Sequence, residues 1–492
     1  MRILFIASEC VPWAKAGGLG DVVAGLAPAV AALGHEVGIV LPRYGSIDVA
    51  ASGFVPAGSA CVHLGAGVEQ WIGVHEARLA GVVRVWLVEC DRFFGATAIY
   101  GNGSWESDEP TRFGFLSKAA LQLAVDRDFV PDVVHVHDWP TALAGALVAR
   151  PDVAGLPSLH ATASVLTIHN AQYQGRFSDA SWSWLGLPED WLAPGLFGDT
   201  DGINLLKGGA AFADMITTVS TTHAREICGE PGGHGLGGFF AERKDRLVGI
   251  LNGVDDERWN PETDPLLPAR YSAADLRGKA VCRGELQERL GLARRTDVPI
   301  VGMVSRFASQ KGFDLMRQVL PWFLEGDALQ LAIVGSGDPG TEYLARRLKE
   351  SFPGSVGLFI GYSEEVAHLA EAGSDLFLMP SLYEPCGLNQ MYSMRYGTLP
   401  IVRATGGLAD TVKDASADGR QGTGFVFVEP TPEALEGALV RALALWAEAP
   451  QAIAALQARA MARRFTWQAA ARRYEQVYLA ACEHRARARA AA

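Results

Sequence analysis

The sequence predicts an α/β protein built from two doubly wound, Rossmann-like domains, and three observations carry that expectation. Short runs rich in Val, Ile and Leu alternate with stretches whose apolar residues recur at helical spacing. The runs are apolar without strict alternation, as expected of parallel strands buried on both faces of a sheet. The whole pattern then starts again after an Asn-, Gly-, Asp- and Pro-rich segment at residues 247–265. At 492 residues, the chain also exceeds the roughly 250 to 300 at which a single hydrophobic core stops growing.

Taken in order, "RILFIAS" (residues 2–8) reads as the first strand, "DVVAGLAPAVAALG" (21–34) as a helix and "HEVGIVLP" (35–42) as the second strand. The same grammar recurs at "DVVHVHD" (132–138) with "ALAGALVAR" (142–150), and at "SVLTIHN" (164–170). In the second half the strands are "VPIVGMVSRF" (298–307), "LQLAIVGSGD" (329–338), "VGLFIGY" (356–362), "SDLFLMPS" (374–381) and "TLPIVRATGG" (398–407), each followed by a helical stretch. Residues 433–478 read as helical, with Phe465, Trp467, Tyr474 and Tyr478 as a candidate anchoring face; ordinary amphipathic packing is the plainer explanation. The tail "EHRARARAAA" (483–492) reads as a frayed, solvated helix end.

Composition removes several classes of function. A net charge of −12 argues against nucleic acid or an anionic membrane surface as partner, since both require clustered Lys and Arg. The seven cysteines, at 10, 61, 90, 228, 282, 386 and 482, contain no CxxC pair, which disfavours a disulfide framework and a structural zinc site and suggests a reducing cytoplasm. "MRILFIASEC" is too short in its apolar part for a signal peptide, and no apolar run reaches the ~18 residues of a membrane span.

In open α/β sheets ligands bind beyond the carboxyl ends of the strands, so the strand-to-loop junctions hold the candidates. Two of them spell nearly the same thing: "KAGGLGDVV" at residues 15–23 and "ATGGLADTV" at 404–412. Glycines between a strand and a helix allow backbone N–H groups to approach an anion at the helix start. One isolated copy would be no more than a tight turn, whereas one copy per domain points to a phosphate. Neither is GxGxxG or a P-loop, so a dinucleotide oxidoreductase or P-loop NTPase is poorly supported. Lys15 lies at the mouth of the first copy, and "SRFASQKG" brings Arg306 and Lys311 off the end of a strand. Three such cations on one pyrophosphate contribute roughly 1.5 to 3 kcal/mol each.

Glu384, in "SLYEPCGLNQ", follows a strand and is either a helix-entry residue or a carboxylate that meets sugar hydroxyls or positive charge at an anomeric carbon. Cys386 beside it reads as packing. "HVHDW" (135–139) offers two histidines on one strand face; core hydrogen bonding is favoured over a metal, and Asp138 at the strand end is better placed to bind hydroxyls. His169 and Asn170 end another strand. The DxD spellings at 126–128 and 199–201 close no strand and read as chance.

Together, Lys15 to Val22, His137-Asp138-Trp139, His169-Asn170, Asn252-Gly-Val-Asp255, Arg306 with Lys311, Glu384-Pro-Cys-Gly387 and Thr405-Gly-Gly-Leu408 resemble the bacterial glycogen synthases and plant starch synthases, from residue 1 to about 478. The resemblance implies a retaining GT-B glucosyltransferase with two Rossmann-like domains facing a cleft, at 1–250 and 251–460, and a C-terminal helix, 461–492, returning to the first. It implies ADP-glucose as donor, the non-reducing end of an α-1,4-glucan such as glycogen as acceptor, and neither metal nor prosthetic group. Carried over, Lys15, Arg306 and Lys311 hold the ADP phosphates near Gly18, with Thr405 and the N–H groups of Gly406, Gly407 and Leu408 assisting; Tyr362 stacks on adenine. Asp138, His169, Asn170, Glu384, Cys386 and Gly387 surround the glucose, and Asp21 and Asn252 lie close to it. Among these, Glu384, His169, Asp138, Arg306 and Lys311 form the expected catalytic set. The two Gly-Gly-Leu copies then grip one pyrophosphate on domain closure. Alternatives are a UDP-glucose-using transferase or nucleotide-sugar epimerase of the same architecture, a non-catalytic glucan-binding protein, and a phosphorylase carrying pyridoxal phosphate.

Overall fold

The computed structural model describes residues 1–101 and 108–491. The chain divides into unit 1, Met1–Gly253 with Trp467–Ala492, and unit 2, Val254–Thr466. Both are α/β.

In unit 1, nine strands form one sheet. They are β1 (Arg2–Ile6), β2 (Glu36–Pro42), β3 (Val55–His63), β4 (Glu69–Leu79), β5 (Val83–Glu89), β6 (Val133–His137), β7 (Ala163–Ile168) and, beyond a separate small sheet of β8 (Arg176–Phe177), β9 (Gly198–Asp199) and β10 (Gly202–Asn204), β11 (Met215–Thr218) and β12 (Leu247–Gly249). The order is β12-β11-β7-β6-β1-β2-β5-β4-β3. The β3–β4 and β4–β5 pairings are antiparallel and the rest of the sheet is parallel. Residues 3–6 of β1 and all of β6 and β7 are buried, as central parallel strands covered by helices on both faces must be. Because β2 lies on one side of β1 and β6 on the other, the sheet changes direction between β1 and β6, the switch point where such folds place ligands.

The helix Trp467–Ala491 belongs to unit 1 and buries Trp467, Tyr474 and Tyr478 in its core. Phe465 packs with the core of unit 2 instead, so the four aromatics divide between the units. The tail is not frayed. His484 Nδ1 lies 2.9 Å from Asp214 Oδ1, and Arg485, buried, donates to the carbonyls of Val148 (2.7 Å) and Ala149 (3.3 Å). These partners anchor the helix as far as Arg485; residues 486–491 stay helical and exposed, the solvated end that composition suggests. The stretch read as one helical region is three helices, Pro432–Glu448, Pro450–Met461 and Trp467–Ala491. Pro450 starts the second, since it has no N–H to continue the first.

A close approach anchors the returning helix. A Cβ on Gly25 would lie 2.2 Å from Trp467 Nε1, so Gly25→Ala is expected to displace the indole and destabilise the protein by about 1–3 kcal/mol. Thermal unfolding of the full chain measures this; an unchanged midpoint would show that the indole is not held there.

Unit 2 carries a six-stranded, all-parallel sheet: β13 (Ile300–Phe307), β14 (Gln330–Gly337), β15 (Val356–Ile360), β16 (Leu376–Met379), β17 (Leu399–Arg403) and β18 (Phe425–Phe427), in the order β15-β14-β13-β16-β17-β18. Its direction reverses between β13 and β16. The second part of the expected linker is folded into this unit: Asp264 accepts from Tyr396 Oη at 2.5 Å and lies 2.7 Å from His368 Nδ1, while Trp259 stacks on His368 and Tyr392 at 3.8 Å each. No single described helix is long and apolar enough to cross a membrane.

Candidate active site

Each unit gathers its predicted residues beyond the carboxyl ends of its strands, around its own switch point. In unit 1 the loop after β1 leads to the helix Gly18–Ala31, which has Gly17 as N-cap and no side-chain cap. Lys15 Nζ and the Asp21 carboxylate are 2.8 Å apart. Space is open where Cβ atoms would stand on Gly17 and Gly18, so this glycine pair leaves room beside the helix start.

The residue that fixes the loop is one sequence reasoning missed. Glu9 is buried, and its Oε2 accepts the backbone N–H groups of Ala16 (2.6 Å) and Gly17 (2.8 Å) while Oε1 accepts from Tyr100 Oη (2.7 Å). Those two amides are therefore engaged by the protein's own carboxylate. The available signal was an acid in the apolar run "IASECV", too isolated to point to a partner seven residues on. Trp13, Lys15, Ser46, Ile99 and Tyr100 line a pocket of about 390 Å³ beside this loop. Glu9→Ala removes bonds worth roughly 1.5–3 kcal/mol each; it is expected to lower the melting temperature and to reduce kcat/KM for the sugar donor at least about tenfold, checked by steady-state kinetics. Unaltered kinetics would separate the loop from function.

Asp138 closes β6 at φ +53. Its Oδ1 accepts the backbone N–H of His169 at 2.7 Å, tying the ends of adjacent strands β6 and β7 together. Burial pushes the Asp138 carboxyl up to about 7, although the N–H groups of His169 and Asn170 and the charge of Glu9 also act on it. Asn170 Oδ1 accepts from Gln172 N at 3.0 Å. The strand histidines are engaged with neighbouring side chains. His135 spans Tyr478 Oη (2.9 Å) and Thr167 Oγ1 (2.6 Å), and His137 Nδ1 lies 3.1 Å from His169 Nε2. Burial lowers His169 to about 3, so the ring is neutral near pH 7. His137 Nε2 is buried without a partner among the described residues. A bare lone pair there is less costly than an orphaned N–H, which assigns the proton to His137 Nδ1, donating to His169 Nε2. His169 then carries its own proton on Nδ1 and is a hydrogen-bond donor.

Asn252, at the end of unit 1, is 5% exposed, and its Oδ1 also lacks a partner among the described residues.

In unit 2, Arg306 is the penultimate residue of β13, Lys311 follows that strand, and Glu384 follows the neighbouring β16. Lys311 Nζ lies 2.6 Å from Glu384 Oε2, which also accepts from Ser381 Oγ at 3.0 Å. The two charged side chains are 17% and 8% exposed. Arg306 is exposed, and its side chain has no hydrogen bond or ion pair among the described residues. Tyr362, beyond β15, is 80% exposed. The turn carrying Glu384 is rigidly held. Gln310 Nε2 donates to Tyr383 O at 3.0 Å, Arg403 Nε to Ser381 O at 2.9 Å, and Gln390 Nε2 to Cys386 O at 3.1 Å and Gly387 O at 3.0 Å. Cys386 itself is buried.

The second glycine pair has a different physical origin from the first. Cβ atoms on Gly406 and Gly407 would fall 2.0 Å from the carbonyl oxygens of Glu384 and Cys386 respectively. Gly406 also has φ +43. The Gly407 N–H donates to Glu384 O and Pro385 O, both at 3.1 Å, and the Leu408 N–H to Thr405 O at 3.0 Å. The Gly407 N–H fastens the helix start to the Glu384 turn, the Leu408 N–H closes on Thr405 within its own turn, and Gly is required at 406 and 407 because the two backbones touch.

Comparison with known proteins agrees with this geometry. Residues 2–242 match the starch synthase catalytic domain and residues 287–459 the glycosyl transferases group 1 domain. Glycogen synthase 1 of Geobacter metallireducens is 44% identical over 482 residues, covering 97% of this chain and 95% of that one. The chain belongs to the glycogen and starch synthase family. Among other members, glycogen synthase of an Anaeromyxobacter species is 46% identical over 479 residues, covering 97% and 99% of the two chains. The catalytic domain of starch synthase IV from Arabidopsis thaliana, solved bound to ADP and acarbose, superposes with a TM-score of 0.89 at 33% identity, covering 98% of this chain and 99% of that one. Sucrose-phosphate synthase from Thermosynechococcus elongatus, at 18% identity and a TM-score of 0.57, shares the fold. As a member of the glycogen synthase family, the protein is a glycosyltransferase of the GT-B class.

Proposed function

We propose that the protein transfers glucose from ADP-glucose to the non-reducing end of an α-1,4-glucan, with retention and release of ADP, as a cytoplasmic step of glycogen synthesis. The observation that carries this is the Lys311–Glu384 pair at 2.6 Å, with exposed Arg306 near the end of the same strand-to-helix passage: cations for a departing diphosphate and a carboxylate for an anomeric centre. Family membership and the ADP-bound relative support the donor.

Breaking the glucose–phosphate bond puts positive charge on the anomeric carbon and negative charge on the diphosphate. Lys15, Arg306 and Lys311 are assigned to the phosphates, with Gly18 and Thr405 leaving the backbone close by, and Tyr362 to the adenine face. The incoming phosphates compete with Glu384 for Lys311, which frees the carboxylate to balance the anomeric charge. Asp138, neutral His169 as donor, Asn170, Asn252 with its vacant Oδ1, Asp21 and the Cys386–Gly387 turn are assigned to the glucose and acceptor hydroxyls. Three protein cations neutralise the leaving group, so neither metal nor prosthetic group is required, and turnover is expected to survive chelation. Nucleic acid and membranes have no part in it.

The pH dependence follows from Asp138. Its carboxyl is raised from 3.8 to about 7, so the fold favours the protonated form. The stability it contributes is full below about 4 and is lost as pH rises through about 7. The ionised form is the stronger acceptor for a sugar hydroxyl, so kcat/KM should fall as pH drops below about 7. Asp138→Asn is expected to lower the plateau and remove that acid limb; an identical limb in the variant would assign the titration elsewhere.

Initial rates of labelled glucose incorporation into glycogen, with ADP-glucose and UDP-glucose in parallel, test the proposal. Faster transfer from ADP-glucose supports it, a preference for UDP-glucose overturns the donor, and no incorporation from either overturns the function.

A further inference from the structure

We propose that Cys61, His63 and Glu69 form a binding site for one divalent d-block cation, zinc above all, on the outer face of the β3–β4 hairpin. The site follows from the period of two along a strand. Ala60 and Val62 point into the core, which places Cys61 and His63 together on the opposite face. Glu69 is the direct cross-strand partner of His63, and directly opposed residues share a face.

One ligand atom from each of the three side chains lies within 4.8 Å of the other two, and His63 Nδ1 is 3.6 Å from Glu69 Oε1. Zinc bonds of about 2.0–2.3 Å in tetrahedral geometry place donor atoms roughly 3.3–3.8 Å apart. The set therefore closes on a cation with small side-chain rotations. His63 and Glu69 are 64% and 57% exposed, so those rotations meet no packed neighbours. The backbone beneath them is fixed: Leu64 N–H donates to Val68 O at 2.8 Å, and Gly65 N–H to Trp184 O at 3.0 Å, pinning the turn to the rest of unit 1.

The donor chemistry selects the metal. A thiolate, an imidazole and a carboxylate suit zinc and its borderline-soft neighbours, whereas magnesium and calcium take oxygen. Binding replaces the Cys61 S–H bond by a sulfur–metal bond and releases that proton to solvent; neutral His63 supplies its Nδ1 lone pair and Glu69 an ionised oxygen. Three protein ligands leave a fourth position for water. The bound cation would staple the edge strand β3 to β4 at the turn end of the hairpin. Sequence spacing alone hid the site, because Cys-x-His lacks a second Cys-x-x-Cys or His pair, and its third ligand comes from across the hairpin.

The test is titration of the full-length, metal-stripped protein with Co²⁺. One equivalent should produce a near-ultraviolet thiolate-to-cobalt charge-transfer band and intense visible bands of a tetrahedral site, both displaced by one equivalent of Zn²⁺. Cys61→Ser should abolish the charge-transfer band, and His63→Ala or Glu69→Gln should weaken binding at least tenfold. Cys228→Ser and Cys482→Ser, at the other partly exposed thiols, should leave it intact. Circular dichroism checks that each variant is folded. No charge-transfer band in the wild type, or a band that survives Cys61→Ser, would overturn the proposal.

Discussion

Glu384→Ala is expected to reduce kcat for glucosyl transfer by about 10²- to 10³-fold, the effect of removing one preorganised charge worth ~2.7–4 kcal/mol in the transition state. The carboxylate is held by Lys311 and Ser381, and its backbone carbonyl receives the Gly407 N–H, so its position does not depend on substrate arriving. Truncation also leaves the mostly buried Lys311 without its carboxylate. Glu384→Gln, which preserves shape and much of the hydrogen bonding but not the charge, separates the two effects: kcat should remain low while the melting temperature recovers. A Gln variant with near wild-type kcat would place the role of Glu384 in geometry alone.

Lys311→Ala should be nearly as damaging, with a different signature. The donor loses a phosphate cation, so KM for the nucleotide sugar should rise together with a fall in kcat, for a combined loss of roughly 10²-fold in kcat/KM, while affinity for glycogen stays close to wild type. A single charge-assisted contact of about 1.5–3 kcal/mol sets that scale. In the folded protein the same change leaves Glu384, with 8% of its side chain exposed, facing only Ser381. The single variant should therefore lose stability, and Lys311→Ala/Glu384→Ala should regain part of it without regaining activity. Steady-state kinetics and thermal unfolding of the wild type, the two single variants and the double variant form a double-mutant cycle; additive stabilities would mean that the pair is not coupled.

The positions of the chemistry were legible in sequence because strand ends are. β1, β6, β7, β13, β16 and β17 are short apolar runs with sharp ends; Arg306 is the penultimate residue of its strand, and Lys15, Asp138, His169, Lys311, Glu384 and Gly406 follow theirs. What could not be read was partnership. Glu9 holds amides seven and eight residues along the chain, and nothing in its neighbours marks it. Glycine has no side chain from which to tell open space from close contact, so Gly17–Gly18 and Gly406–Gly407 look alike in sequence and differ in origin: the first pair leaves room, the second lets two backbones touch. Strands β3 and β4 escaped notice because Pro56, Gly58, Ser59 and Gly73 interrupt their alternation, and β3 is an edge strand with only one face to bury. The anchoring of the tail at its start was missed for a related reason. Arg485 and His484 look solvated by composition, yet find carbonyls and a carboxylate from segments more than two hundred residues away.

One measurement bears most directly on the proposed reaction. Glycogen extended with labelled glucose from ADP-glucose would be digested by an exo-acting α-1,4-glucan hydrolase that works from the non-reducing end, with ADP release counted in the same reaction. The expected result is one ADP per incorporated glucose and release of all the label in the first products of digestion. ADP formed without incorporated label, or label that resists the exo-hydrolase, would contradict chain extension at the non-reducing end.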